Sequence, residues 1–355
     1  MDIKKDKILG KSRFWAGTLL AQFLLFYALS KSDFAIGLAE SFFEKQKYIH
    51  QSIFSRIPFS FGDLFYVILG IVLIFILIKI IRSKERKKYL KILLILLNVL
   101  YFTYQIFWGM LYFQKPLIEK LSPAEPTLEE TKVLTLKYLE KCKQTRALVK
   151  EDKNGVFKVS DPKRIKMEIQ ILQTQLPSDF KIKSVTGINA SKPSLYRGIM
   201  SYTGILGYYN PFTAEAQYNA ELPSTYIPFT LAHESAHQLG FAREQEANFI
   251  GYLTGIDSAN PEIKYSTEYF VLKSLLKSLV EKNEDFVKEV VNNYSPAMKR
   301  DQLYEKNFFE KHSGLLDVFF QFTNNLFLKS NQQEGSITYS YFTDLLIRYE
   351  RNVNN

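Results

Sequence analysis

Cysteine is almost missing from this chain of 355 residues. Cys142 stands alone, which excludes an intrachain disulfide and any cysteine-based zinc finger. Histidine is scarce as well, with four in all. There is no internal repeat and no low-complexity tract. Acidic residues are outnumbered, 36 Asp and Glu against 46 Lys and Arg, leaving a formal charge of +10. Such an excess suits nucleic acid or a membrane surface, and its placement along the chain decides between them. Many of the bases lie beside apolar runs, so the membrane reading takes precedence and nucleic acid is not expected as a partner. What the chain has in quantity is apolar side chains, 46% of the total, with 15% aromatic. That is ample for a sizeable core and implies at least two regions.

Three apolar runs fill the first third: 14–29, 61–81 and 92–113. About 20 apolar residues are needed to cross about 30 Å of hydrocarbon. The second and third runs meet that requirement, and the second has no polar face of the kind a soluble helix carries. The first is shorter and has a basic segment before it, as a signal peptide does. It shows no clear small-residue cleavage site, so it is expected to stay as a span of about 14–30. Lys4, Lys5, Lys7, Lys11 and Arg13 precede the first run, and Arg82, Lys84, Arg86, Lys87, Lys88 and Lys91 crowd the link between the second and third. Both clusters belong on the cytoplasmic side by the positive-inside rule. The stretch 31–60, with mixed charges, reads as an external loop. The expectation is a bilayer-embedded region over 1–114, a linker over 115–126, and a domain over 127–355 outside the cytoplasm. In a bacterium this is an inner-membrane protein with a periplasmic domain.

Past the third run, Pro116, Pro123 and Pro126 break the chain. Thr127 and Glu130 have capping-box spacing ahead of a helix to about Val149, and Asp161-Pro162 opens another to about Leu176. Between Ile182 and Tyr209 the pattern shortens to strands and turns, and from Pro228 onward it is helical. In 213–222, Ala214, Ala216, Tyr218 and Ala220 alternate with Glu215, Gln217, Asn219 and Glu221. That period of two describes a strand with one buried face. As an edge strand it could pair with an extended peptide through Ala216, Gln217 and Tyr218. The fold expected is α+β, a mostly helical domain with a small sheet behind three transmembrane helices.

The chemistry concentrates in LAHESAHQLGFAREQEANFIGYL, residues 231–253. On a helix His233 and His237, four apart, share one face, and both imidazoles can reach one zinc at about 2.0 to 2.1 Å. Glu234 is placed to activate a water at that metal and take its proton. Pro228 suits the first turn of such a helix, and Gly240 its left-handed end. On one unbroken helix Glu244 would lie about 10 Å along the axis from His237, too far for a shared ion. The helix must therefore break, with Gly240 the place and a second helix returning from about Ala242. Glu244 and Glu246 then point about 200° apart, so one of them faces the metal. Glu244 is the choice, because Asn248 follows one turn later on its face, where it could accept a hydrogen bond from a zinc-binding imidazole. Glu246 is the alternative. An oxyanion donor could come from Tyr294, Tyr339, Tyr341 or His312. His50 has no role.

The stretch HESAHQLGFAREQEANFIGYL, with GYYNPFTAEAQYN, LPSTYIPFTLAHE and NQQEGSITYSYFTDLLIRY, resembles the bacterial membrane-anchored, zincin-like family catalogued as domain of unknown function 3810. The resemblance implies a metal-binding zincin-type domain and no particular substrate. More broadly, Glu244 to Asn248 is similar to the gluzincin pattern E-x-x-x-D with Asn in place of Asp. The metzincin pattern fails at Arg243, because a guanidinium cannot ligate zinc. Together these readings lead to a membrane-anchored zinc metallopeptidase acting on a peptide or protein at the outer face of the bilayer. Hydrolysis of a cell-wall amide is a version of the same chemistry. The rival is a non-catalytic binding or signalling protein on the same scaffold.

Overall fold

The computed structural model describes residues 11–314, 318 and 338–354. The chain forms two compact units: one reaches to Gln114 and includes Asn210–Ala214, the other holds Lys115–Tyr209 and the chain from Glu215 onward.

In the first unit α1 (Ser12–Leu29) meets α2 (Asp33–Phe54) at a bend of 102°. The external loop expected over 31–60 is therefore mostly helix. Ser32 accepts a hydrogen bond from the Ala35 N–H, Asp33 sits in the first turn, and no proline interrupts the run until Pro58, so α2 has both a start signal and a continuous body. Next come α3 (Phe61–Arg82), capped by Ser60 on the Asp63 N–H, and α4 (Arg86–Phe107). Each is long and apolar enough to cross a membrane, and the bent α1–α2 pair qualifies only if it counts as one broken span. Two or three crossings are thus available. The third expected run shifts: α4 begins at Arg86 because lysine and arginine continue a helix readily, and it ends at Phe107, where Trp108 leaves helical geometry and Gly109–Phe113 tightens into a 3₁₀ turn. Asn98 ties α4 to α1, donating to the Trp15 carbonyl at 2.9 Å and accepting from Gln22 at 3.2 Å.

The second unit opens with a 3₁₀ turn at Leu117–Lys120 and then α5 (Leu128–Arg146), where both arms of the Thr127/Glu130 capping box are made. Then follow α6 (Pro162–Gln173), capped by Asp161; β1 (Ser191–Pro193); α7 (Arg197–Thr203); β2 (Gly207–Asn210); and β3 (Glu215–Tyr218). The described residues that follow form mostly helices: α8 (Ile227–Leu239), α9 (Glu244–Gly255), α10 (Pro261–Leu279), α11 (Glu284–Asn292), α12 (Pro296–His312) and α13 (Thr338–Asn354). Leu134, Tyr138, Leu231, Ile250, Leu272 and Phe342 share the one apolar core that these helices enclose. Burying such side chains contributes about 1.5–3 kcal/mol each. The result is α+β, mostly helix with a three-stranded sheet.

The sheet corrects the edge-strand expectation. Its order is β1-β3-β2, with β1 parallel to β3 in the register Ser191↔Ala216, Lys192↔Gln217 and Pro193↔Tyr218. β3 is central, so its backbone already has partners on both sides and Ala216, Gln217 and Tyr218 cannot add a peptide strand. Nor is one face solvated: all four residues of β3 are buried. Polar alternation misled because burial of polar groups is tolerated once they are paired. Lys192 reaches Glu215 at 2.6 Å, and Gln217 donates to the same carboxylate at 3.4 Å.

Candidate metal centre

α8 carries the two histidines. Pro228 lies in its first turn, and Gly240, at φ 110°, ends it in the left-handed region that only glycine enters without strain. The chain then reverses within three residues and α9 returns along α8. The two helices cross closely at Gly251, where a Cβ would lie 3.2 Å from the His233 nitrogen and 3.3 Å from its Cα. The break expected at Gly240 is where the chain turns, and the return helix starts at Glu244, two residues later than the expected Ala242.

This hairpin decides between the two glutamates. The Glu244 carboxylate lies 3.2 Å from His233 Nε2 and 3.6 Å from His237 Nε2. Glu246 points elsewhere: buried, it accepts from the Leu117 N–H and from Arg243 Nη1, each at 2.9 Å. Burial pushes the Glu246 carboxyl up, with Arg243 opposing. The imidazole rings of His233 and His237 have centroids 4.8 Å apart. Glu234 completes the group, with one ligand atom from each of His233, Glu234 and His237 within 4.8 Å of one another.

The cluster is electrostatically strained in its protons. Burial raises the Glu234 carboxyl to about 7, against the opposing pull of His233 and His237. Burial also works against a charged His237, but Glu244 beside it outweighs that, and His237 rises to about 9. Burial would raise Glu244; the facing imidazoles overcome it and hold the carboxyl well below the usual range. Protons thus gather where no other cation neutralises the carboxylates.

The donor set suits a divalent cation. The His237 Nδ1–H donates to the Phe241 carbonyl at 2.7 Å, a bond that leaves the Nε2 lone pair of the neutral ring facing His233 and Glu244. Glu234 Oε2 is buried without a hydrogen-bond partner. Two imidazoles and a carboxylate beside a second, unengaged carboxylate oxygen match the ligand chemistry of an open zinc site.

The other expected residues lie apart from this group. Asn248 is half-buried on α9 and makes no hydrogen bond to either imidazole: the Phe241 carbonyl has taken the place at His237, and His233 Nδ1 has no partner. His312 Nδ1 bonds the Phe308 carbonyl at 2.7 Å, and its ring packs on Tyr202. Tyr294 is a core side chain against Tyr269, and Tyr341 is half-buried on α13. The Tyr339 side chain lies outside the described residues. Three contributors escaped sequence reading: the Phe241 carbonyl, Gly251, and Gly207 on β2, where a Cβ would lie 2.6 Å from Glu234 Oε1. A glycine inside a strand and another inside a helix were the available signals, since each marks close approach.

The structure thus defines an α+β protein with helices fit to cross a membrane and a buried histidine–glutamate cluster that could hold a metal ion. A family model described as Protein of unknown function (DUF3810) matches residues 39–347, most of the chain, and the protein belongs to that family. No curated protein and no solved structure matches it.

Proposed function

We propose that this protein is a membrane-anchored, zinc-dependent peptidase whose second unit acts outside the cytoplasm on a peptide or protein substrate. The observation that carries the reading is the convergence of His233, His237 and Glu244 beside a buried Glu234 with one unengaged oxygen. His233, His237 and Glu244 would hold the zinc, in a gluzincin-like arrangement. Bound zinc would supply a Lewis acid for the scissile carbonyl and make a water acidic enough to attack near neutral pH.

The chain's own residues do the rest. Glu234 accepts the proton from the attacking water at Oε2 and delivers it to the amide nitrogen as the carbon–nitrogen bond breaks. Burial suits this shuttle, because it brings the carboxyl to about 7, where accepting and returning a proton are both accessible. The Phe241 carbonyl keeps His237 in one tautomer. With β3 central, pairing to an extended substrate passes to the outer strand β2, which runs against Glu234 at Gly207.

The test is metal analysis of the full chain purified in detergent, followed by digestion of a peptide library with and without chelator. About one zinc per chain and cleavage abolished by the chelator are expected. Bound zinc without cleavage of peptides or cell-wall amides would replace this reading with a non-catalytic binding protein. Absence of metal would remove it.

A further inference from the structure

Gly207 opens β2 one residue after Leu206, whose carbonyl accepts from the Asn219 N–H at 2.8 Å and so holds this end of the hairpin. A methyl group at Gly207 would meet three things: Glu234 Oε1 at 2.6 Å, Glu234 Cγ at 2.7 Å and the Gln217 carbonyl at 2.8 Å. Real Cβ atoms do not approach that closely, so something must shift. Gln217 belongs to the central strand and its carbonyl is fixed in the sheet. The Glu234 side chain has rotatable bonds and is the partner able to move. The backbone at Gly207 does not need a left-handed conformation, since its φ lies outside the positive range. Its requirement for glycine is therefore one of space, and that space is bounded by the Glu234 side chain on one side and the Gln217 carbonyl on the other.

We infer that Gly207 is a positioning residue for Glu234: the bare backbone of β2 forms a wall against Oε1 and Cγ that fixes the orientation of the carboxylate. Its place in proton transfer rests on the peptidase reading; its steric role toward Glu234 does not. The division of labour with Gly251 follows from the same geometry. Gly251 sets the approach of α9 to α8 at His233 and so the reach of Glu244, whereas the three atoms nearest a Cβ at Gly207 belong to Glu234 and Gln217.

A double-mutant cycle on the full chain tests this without any substrate. Gly207→Ala should lower the melting temperature by roughly 2–6 °C. In a Glu234→Ala background, where the two closest of the three contacts are gone and only the Gln217 carbonyl remains, the same change should cost measurably less. An equal loss in both backgrounds, or failure to fold in both, would assign the strain to the Gln217 carbonyl and overturn the inference. Folding only in the Glu234→Ala background would support it. A second measurement separates position from structure. Gly207→Ala should keep zinc affinity within about threefold, because the atoms it would crowd first belong to Glu234 and Gln217, while kcat on a cleaved peptide drops by about 100-fold with KM little changed. A matching loss of zinc affinity would make Gly207 a general packing residue. If the unaltered protein cleaves nothing, the peptidase reading fails, and the melting cycle still decides the role of Gly207.

Discussion

Helices α3 and α8 invert each other. α3 leaves its apolar side chains uncovered, with Ile71, Ile74 and Ile81 exposed by 62%, 60% and 78%, while α8 buries Glu234, Ser235, His237 and Gln238. A water-soluble domain would avoid both, since uncovered isoleucines favour association and buried charges cost several kcal/mol unless paired. α3 is suited to a hydrocarbon surrounding. The cost at α8 is met by partners: Gln173 donates to Ser235 at 2.7 Å, Ser191 to Gln238 at 3.4 Å, and the Phe241 carbonyl holds His237. Only Glu234 Oε2 and His233 Nδ1 in that motif remain unsatisfied. A helix apolar on all sides is fit for lipid, and a helix whose polar groups are buried and nearly all paired is where the proposed chemistry would sit.

The largest effect available is all-or-none. If α3 and α4 cross the bilayer with their basic link inside, a reporter active only outside the cytoplasm should work after Asn355 and stay silent within 83–90. The opposite pattern would place the second unit in the cytoplasm and break the comparison at its membrane end.

Next in size is Glu234→Gln, which keeps shape and removes the proton acceptor. Peptide hydrolysis should fall by about 10²–10⁴-fold while zinc content is unchanged. Loss of zinc in this variant would show Glu234 to be a ligand. Undiminished hydrolysis would leave α8 a buried polar helix without the proposed chemistry.

A finer contrast lies inside α9. Glu244→Gln should weaken zinc binding by at least about 100-fold, more than outer groups around metal sites typically contribute. Glu246→Gln should leave affinity nearly unchanged and lower stability by about 1–3 kcal/mol, because the Leu117 N–H and Arg243 lose a charged acceptor. Affinities measured in the reverse order would transfer the ligand role to Glu246.

The smallest effect is in pH. His237 rises from 6.5 to about 9, so its contribution to metal-free stability is full below pH 6.5 and lost as pH climbs through 9. Glu234 rises from 4.5 to about 7, so its preference for the folded state is full below pH 4.5 and lost by pH 7. Glu244 is depressed, and its contribution holds above pH 4.5 and fails only in strong acid. The metal-free protein should therefore melt at a lower temperature at pH 9 than at pH 6, and bound zinc should widen its advantage over that interval. A flat profile without metal would show that the cluster does not hold these protons.

Much of this arrangement was legible in residue order. The capping box at Thr127, the stop at Gly240 and the choice of Glu244 over Glu246 as the residue facing the histidines all follow from helical repeat and from glycine's access to positive φ. The misreadings share a cause. As a connection between two apolar runs, 31–60 reads as a loop, although Ser32 caps a full helix there. Alternation at 215–218 predicts one solvated face, whereas the strand is buried throughout because Lys192, 23 residues earlier, comes to neutralise Glu215.

The sequence by itself determined most helices of the second unit, two runs long and apolar enough for lipid, and which histidines and glutamates share a helix face. Those properties depend on neighbours three or four residues away, where backbone geometry leaves few options. Only the tertiary structure decided that β3 lies between β1 and β2, that Leu117 and Arg243 draw Glu246 aside, and that β2 presses a glycine against Glu234. Those outcomes depend on which distant segment arrives to fill a given space and satisfy a given charge, and packing at close range admits one of them.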